Sequence, residues 1–370
     1  MKQALRVIFA GGGTGGHLFP GVAVAEALLQ LRPGSSVSFV GSHNRIEARV
    51  VPKLGYPFDP LWISGLRRSF SFSTLLLPFK LAVSLLQSWR ILRRRRPHVV
   101  VGTGGFASGP LLYVAAKTGR PTLIHEQNEY PGITTRKLAG DADEVHVTFE
   151  SSSRLLTQAK RLVLSGNPVR LSLTRHDAGD ARVHFGLHPS RRTLLVFGGS
   201  LGAAAINRAM RTLVPRLVRE EYQLIWQTGT RDHAQYASLG ALYQGQVVVR
   251  PFIDEMDLAY SAADLVLCRA GATTLAELGV LGLPSILVPY PHAAADHQAH
   301  NATAVAEKGA AHVLRDEELE KLEEILFPLL DDDAVLGRMA SASAALGRPR
   351  AAYEIAEAVI RLAEQKEGRS

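Results

Sequence analysis

The sequence predicts an α/β protein made of two parallel sheets of the nucleotide-binding type, facing each other across a cleft. Two glycine loops of one design carry that expectation. Residues 5–10 form an apolar run that enters Gly11-Gly12-Gly13-Thr14-Gly15-Gly16-His17 and then a helical pattern. Much further along, residues 193–197 enter Gly198-Gly199-Ser200-Leu201-Gly202-Ala203 and a second helical pattern. A strand that turns on glycines into a helix start presents backbone N–H groups and a positive dipole end, which suit phosphate. The third observation is the alternation of short apolar runs with helical patterns along the chain, the signature of a parallel sheet covered on both faces.

In order, strands are expected at 5–10, 36–40, 98–101, 121–125 and 144–148, each short and apolar. Between them, helical spacing of apolar residues places helices at 18–30, 44–53, 74–95, 107–118 and 132–139. The polar stretch 165–192, with Asn167-Pro168 and His188-Pro189, breaks the pattern, and a linker is expected at its start. Alternation resumes with strands at 193–197, 223–227, 246–250, 264–268 and 284–288. Helices are expected at 203–219, 254–262, 273–281, 298–308, 316–330 and 351–366.

A chain of 370 residues, 46% hydrophobic and 21% charged, has ample core for two globular domains. Lys+Arg 42 against Asp+Glu 34 gives a net charge of +8, which favours anionic partners without choosing among them. The single Cys268 excludes an internal disulfide, suits a reducing compartment and reads as a small apolar strand residue. No secretory signal is expected, because the apolar run after Lys2 and Arg6 is too short. Residues 75–92 are interrupted by Pro78, Lys80 and Arg90, short of the roughly 20 apolar residues a span needs. The expectation is a soluble or peripheral protein.

Gly11-x-Gly13-x-x-Gly16 fits the dinucleotide fingerprint, which also needs an acid about 20 residues on. Glu26 and Glu47 have no acid between them, which counts against a nicotinamide or flavin enzyme. The loop then serves either for close packing or to let a bulky ligand touch the backbone. His17 at its mouth is of a type that exchanges protons near neutrality, or it is a packing histidine. Ser200 adds a hydroxyl able to donate to phosphate. Thr274-x-x-Glu277 has two readings: a capping box, or a carboxylate that accepts from a ribose diol. His292, Asp296, His297 and His300 lack the spacing of a helical zinc pair, and Asp141-x-Asp143 reads as ordinary loop chemistry, so no metal is expected. Residues 64–96 combine Phe70, Phe72, Leu75, Phe79 and Trp89 with the arginine run 93–96. That mixture reads as an interfacial membrane anchor, or as a core helix with a solvated basic tail. No nucleic-acid motif accompanies the charge.

Eight ordered motifs span almost the whole chain. They are Gly12-Gly13-Thr14-Gly15-Gly16-His17-x-x-Pro20-Gly21, Gly102-Thr103-Gly104-Gly105, Ser108-Gly109-Pro110, His125-Glu126-Gln127-Asn128, Gly166-Asn167-Pro168-Val169-Arg170, Gly198-Gly199-Ser200-x-Gly202-Ala203, Gly271-Ala272-Thr273-Thr274-Leu275-Ala276-Glu277 and His297-Gln298-x-His300-Asn301-Ala302. Together they resemble the MurG family, the bacterial undecaprenyl-diphospho-muramoylpentapeptide β-N-acetylglucosaminyltransferases. Phe106-Ala107 and Glu129-Tyr130 depart from the pattern, in loops that bear on the acceptor.

The resemblance implies a GT-B fold and inverting transfer of N-acetylglucosamine from UDP-GlcNAc to the muramoyl 4-hydroxyl of lipid I, giving lipid II. Residues 1–166 with 350–370 would form the acceptor and membrane-associating domain, and 167–349 the donor domain. Ser200 would contact the donor diphosphate, Arg170 the nucleotide side, and Ile253 the uracil through its backbone. Ala272, Thr273, Thr274, Leu275 and Ala276 would line the nucleotide, with Glu277 on the ribose. Gln298 and Asn128 would hold the sugar. Thr14, Gly15 and Gly16 would lie against both substrates, and Gly13, Gly104 and Gly105 near the acceptor diphosphate. His17 is the expected base, with Glu126 second. Phe72, Leu75, Phe79, Arg93 and Arg94 would meet an anionic phospholipid surface on the cytoplasmic side of the cell membrane. No cofactor, metal or nucleic acid is implied; cell-wall and division proteins are further expected partners. Rival readings are a diacylglycerol glycosyltransferase, a UDP-GlcNAc 2-epimerase and a non-catalytic nucleotide-sugar or phospholipid binding protein.

Overall fold

Dense runs of Val, Ile, Leu and Phe become strands because stiff, branched and aromatic side chains pack well on a pleated surface. The computed structural model describes residues 3–63 and 77–367. The chain divides into two units, Met1–Leu171 with Arg348–Ser370, and Ser172–Gly347.

The first unit holds β1 (Arg6–Ala10), α1 (Gly15–Leu31), β2 (Ser36–Ser42), α2 (Ile46–Lys53), β3 (Phe58–Leu61) and α3 (Leu77–Arg95). It continues through β4 (Val99–Gly102), α4 (Ser108–Lys117), β5 (Thr122–Glu126), α5 (Ile133–Leu138), β6 (Glu144–Val147) and β7 (Leu162–Leu164). The second unit holds α6 (Ala178–His184), β8 (Thr193–Phe197), α7 (Ala204–Arg219), β9 (Gln223–Gln227), α8 (His233–Leu242) and β10 (Val247–Arg250). After these come α9 (Met256–Ala262), β11 (Leu265–Cys268), α10 (Ala272–Leu281), β12 (Ser285–Leu287), α11 (His297–Ala306), β13 (Ala311–Val313), α12 (Leu322–Asp331) and α13 (Asp333–Leu346). The chain then returns to the first unit as α14 (Ala351–Glu367).

Strand order is β3-β2-β1-β4-β5-β6-β7 in one sheet and β10-β9-β8-β11-β12-β13 in the other. The paired strands run parallel, with Ala10 beside both Val40 and Gly102, and Phe197 beside both Gln227 and Cys268. Each sheet therefore reverses its winding at its first strand. The connections from the two middle strands leave toward opposite faces there and open a crevice at the carboxyl ends. Each glycine loop follows such a first strand, so the topology alone puts both loops at crevices.

Alternation along β1 builds the core. Val7 and Phe9 enter a cluster with Leu18 and Val22 of α1 and Ile355 and Val359 of α14. Ile8 and Ala10 enter another, with Leu92 of α3 and Leu111 of α4. In the second unit Leu194 and Val196 pack on Ile206, Met210 and Val214 of α7 and Leu326 of α12.

Several expectations shift. The edge strands β3, β7 and β13 carry no sequence signal, since they are only three or four residues long and β3 contains Pro60. The expected irregular stretch contains α6, capped by Asp177, whose side chain accepts from the Asp180 N–H. Helices α8 and α13 were not expected either. Helix α1 starts at Gly15 rather than 18, so the end of the glycine run is helical. Phe72 and Leu75 lie outside the described residues. Among the described residues no helix is long and apolar enough to cross a membrane.

One polar cluster fastens α14 to the sheet. Arg361 donates to both carboxylate oxygens of Glu144, at 2.9 and 2.8 Å, and His146 Nε2 lies 3.2 Å from the same group. Burial pushes the Glu144 carboxyl up, but the His146 and Arg361 hydrogen bonds and the Arg361 and Arg161 charges outweigh it and hold it at about 2. A carboxyl below its ordinary 4.5 stabilises the fold above that pH and loses the contribution as pH falls toward about 2. Arg361→Gln should lower unfolding free energy by about 2 kcal/mol at pH 7, discounted for the partial exposure of Arg361. Chemical denaturation between pH 7 and pH 2 checks this: the gap between variant and parent should close on acidification, and a pH-independent gap would contradict it.

Candidate functional site

In the first unit the loops after β1 and β4 meet at the crevice. Gly104 and Gly105 adopt left-handed φ values of 97° and 77°. A Cβ on Gly105 would overlap the Gly12 carbonyl, and one on Gly104 would sit 2.7 Å from His17 Nδ1. Side chains are excluded there because two backbones touch. Glu47, 1% exposed, braces the first loop from beneath. Its Oε2 accepts from Gly13 N–H at 2.9 Å and its Oε1 from Ser42 N–H at 2.8 Å. The acid past the fingerprint position thus shapes the loop. Thr14 is the N-cap of α1 but makes no side-chain cap hydrogen bond, and Gly15, Gly16 and His17 form the first turn. That turn leaves amide donors without intrahelical partners.

His17 belongs to a hydrogen-bond chain whose direction can be assigned. Gln127 Nε2 donates to the Thr103 carbonyl at 2.9 Å, which orients the amide. Gln127 Oε1, an acceptor only, then faces His17 Nδ1 at 3.0 Å, so Nδ1 carries the hydrogen. At the other end Gln127 Nε2 lies 2.9 Å from His125 Nδ1, and His125 Nε2 donates to the Gly166 carbonyl at 3.0 Å. Burial pushes His125 down to about 3, against the opposing Gly166 hydrogen bond, with the nearby His146 and His17 lowering it further. His125 is therefore neutral at pH 7. The chain leaves His17 Nε2 as the lone-pair nitrogen, the form that takes up a proton.

Glu126 is placed differently. It is 2% exposed, and its carboxylate accepts from Asn128 N–H (3.1 Å), Asn128 Nδ2 (3.2 Å), Gly132 N–H (3.0 Å) and Thr135 Oγ1 (2.6 Å). Four donors make it a clamp for the loop after β5, which holds Asn128, rather than a free proton acceptor.

In the second unit Gly202 meets the backbone of Thr228 and Gly229 so closely that a Cβ on either glycine would overlap the other strand's loop. Gly199, by contrast, faces open space, and Ser200 beside it is exposed. Gln227 ties this loop to the next: its Nε2 donates to the Gly199 carbonyl at 3.1 Å and its Oε1 accepts from Ile253 N–H at 2.9 Å. Ile253 is thus held with its N–H engaged. Helix α10 has Gly271 as N-cap, so Ala272, Thr273 and Thr274 form its first turn and Leu275, Ala276 and Glu277 follow inside it. Thr274 is not a cap, and the capping-box reading of Glu277 falls. Glu277 Oε2 instead accepts from Tyr260 Oη at 2.9 Å. Gln298 Oε1 accepts from Tyr290 N–H at 2.9 Å. Arg170 lies in the first unit, not in the division 167–349.

Asp141 pairs with Lys117 at 2.9 Å, and Asp143 accepts from Thr122 N–H at 2.8 Å. On α3, Phe79 (60% exposed), Leu81, Leu86 and Trp89 stand out of the surface, with Trp62 edge-on to Phe79 and Arg93 stacked over Trp89. Arg94 and Arg95 both pair with the buried Asp59, Arg94 remaining exposed.

Sequence reasoning gave no role to Gln127, Gln227, Glu47 or Tyr260. A polar residue inside or directly after an otherwise apolar strand is the signal that marks Gln127 and Gln227.

Residues 7–147 match the glycosyltransferase family 28 N-terminal domain and 193–355 its C-terminal domain. The chain is 46% identical over 370 residues to a UDP-N-acetylglucosamine–N-acetylmuramyl-(pentapeptide) pyrophosphoryl-undecaprenol N-acetylglucosamine transferase of Prosthecochloris aestuarii, covering 98% of this chain and all of the relative. It is 47% identical to the transferase of the same name from Chlorobaculum parvum, over 97% of this chain and all of that one. Among solved structures it resembles Acinetobacter baumannii MurG, with TM-score 0.76 and 30% identity over 96% of this chain and 99% of that one.

Nitrogen-15 NMR of the neutral His17 ring should show a protonated Nδ1 and a bare Nε2. Gln127→Leu should mix the two tautomers. A parent ring protonated mainly on Nε2 would contradict the assigned hydrogen-bond direction.

Proposed function

The chain belongs to glycosyltransferase family 28, and from that premise we infer its reaction. It transfers N-acetylglucosamine from UDP-GlcNAc to the C4 hydroxyl of N-acetylmuramic acid in lipid I, with inversion, and forms lipid II for peptidoglycan. The observation that carries this reading is end-to-end likeness to transferases of that name. The test is direct: purified protein with UDP-GlcNAc and lipid I should release UDP and yield lipid II. Release of UDP without lipid I, or binding without turnover, would overturn it in favour of an epimerase or a binding protein.

The second unit is the donor side of this reading. The diphosphate rests on Gly199, Ser200 and the start of α7, where amide dipoles meet the negative charge. Glu277 accepts from the ribose diol, Ile253 addresses the uracil, and Gln298 holds the sugar. The first unit holds the acceptor, with Thr14, Gly15 and Gly16 offering amides and Gly13, Gly104 and Gly105 permitting close approach of its diphosphate. Asn128, fixed by Glu126, and Arg170 contribute from the same unit.

His17 is the base. Its Nε2 takes the proton of the C4 hydroxyl as that oxygen bonds to the anomeric carbon and the bond from that carbon to the UDP oxygen breaks. Gln127 Oε1 holds Nδ1–H and so stabilises the imidazolium that results. The leaving group departs as a diphosphate anion, and its charge develops against preorganised amides and a hydroxyl. In this reading no cation is required.

The exposed face of α3 is the membrane contact, in a peripheral protein on the cytoplasmic side. Phe79 and Trp89 enter the interface, and Arg93 lies beside anionic headgroups, where a basic residue contributes about 1 kcal/mol.

Three measurements check these roles. His17→Ala should lower kcat by about 10²–10⁴-fold with both KM values little changed; a loss under about fivefold removes His17 from the role. Activity should survive exhaustive chelation, and loss to EDTA with recovery on adding magnesium would contradict the metal-free leaving-group site. Phe79→Ser should weaken partitioning onto phosphatidylglycerol vesicles by about tenfold, from the apolar burial it forfeits, and unchanged partitioning would exclude this face.

A further inference from the structure

A cavity of about 400 Å³ opens in the first unit at the amino ends of the strands, away from the glycine loops. Arg6 opens β1 at this end, and the glycine loop begins at the other, about 17 Å along the strand. Among the described residues, five cationic side chains line the cavity, Arg6, Arg93, Arg96, Arg120 and Lys366, together with His98, and no carboxylate does.

Main-chain carbonyls take up part of the donor capacity here. Arg6 Nε donates to the Arg96 carbonyl at 2.8 Å, and Arg120 Nη1 donates to the Pro97 carbonyl at 3.0 Å. Arg120 Nε is buried with no hydrogen-bond partner among the described residues. His98 is approached at both ring nitrogens, by Arg6 N–H at Nδ1 (3.0 Å) and by Arg6 Nη2 at Nε2 (2.9 Å). A neutral imidazole accepts at one nitrogen only, so the Arg6 N–H and the Arg6 guanidinium compete for it. Arg96, directly after α3, has a φ of 48°, a left-handed backbone uncommon outside glycine. Burial and the Arg6 charge lower Arg120, and burial and the Arg120 charge lower Lys366, with Asp143 opposing from outside the cavity. The cations crowd one another, and a multivalent anion would relieve the crowding and offer Arg120 Nε an acceptor.

We propose that this cavity binds a phosphate-type oxyanion, through Arg6, Arg96 and Arg120. A guanidinium fork matches phosphate oxygens in pairs, which suits a site built from arginines. Two sources present that chemistry. One is a soluble phosphate compound. The other is the headgroup of an anionic phospholipid, because α3 carries both the exposed Trp89 and Arg93, which lines the cavity.

The experiment uses the full-length protein with saturating UDP, so that inorganic phosphate cannot report on the nucleotide site. Calorimetric titration at low salt should detect phosphate binding that weakens about tenfold in Arg120→Gln and in Arg96→Gln. Ser200→Ala should leave it unchanged. Arg96 is exposed, so its variant guards against misfolding of the partly buried Arg120 variant. Absence of binding, or equal affinity in the parent and both variants, overturns the proposal. Sedimentation with phosphatidylglycerol and phosphatidylcholine vesicles separates the sources. If both variants lose phosphate and phosphatidylglycerol together, the headgroup is the ligand. If they lose phosphate alone, it is a soluble compound.

Discussion

Backbone against backbone, at the carboxyl ends of adjacent strands, is the contact on which the rest of this structure depends. Gly105 touches the Gly12 carbonyl, and Gly202 touches Thr228 and Gly229. No side chain fits at either place. The same closeness that excludes a Cβ brings amide groups to the surface of a crevice, where a ligand can reach them. In the proposed reaction a phosphate-bearing substrate would meet dipoles already oriented, and both units carry such a loop although their sequences differ. Topology supplies the crevice, and glycine lets the main chain line it.

Loops so short of side chains need bracing from elsewhere, and each unit solves this with buried polar groups. Glu47 and Gln127 act in the first, and Gln227 acts in the second. Each accepts from or donates to main-chain atoms of two segments at once, so each fixes one loop relative to the next. Fully satisfied buried networks of this kind rigidify a site; a half-satisfied one would destabilise it. In the first unit the brace also has a chemical consequence. The Thr103 carbonyl orients Gln127, and Gln127 in turn decides which nitrogen of His17 can take up a proton. A backbone carbonyl thus sets the His17 tautomer through one amide side chain.

Much of this was legible in the sequence because it rests on local signals. The central strands are runs too apolar to be anything but buried, and the glycine loops follow them directly. The two-sheet class and the helix after each loop required nothing more. Edge strands were illegible because their pairing comes from a neighbour: residues 162–164 carry no pattern that distinguishes them from a loop. Helix α6 escaped because its seven residues are held by the Asp177 cap and by packing on α9, neither visible as apolar spacing. The site was legible as a list of residue types, yet the division of labour within it was not. Glu126 and Glu277 look alike in sequence. Four donors tie the first down, and Tyr260 holds the second, two residues whose surroundings only the fold specifies.

The central claim is that the nucleotide rests on helix-end amides of the second unit, with no cation between. A crystal structure with UDP-GlcNAc bound, grown without divalent metal, tests it most directly. The account predicts diphosphate oxygens within hydrogen-bond distance of Gly199 and Ser200 and the ribose diol on Glu277. Nucleotide seated elsewhere, or a metal ion bridging the diphosphate to carboxylates, would contradict it.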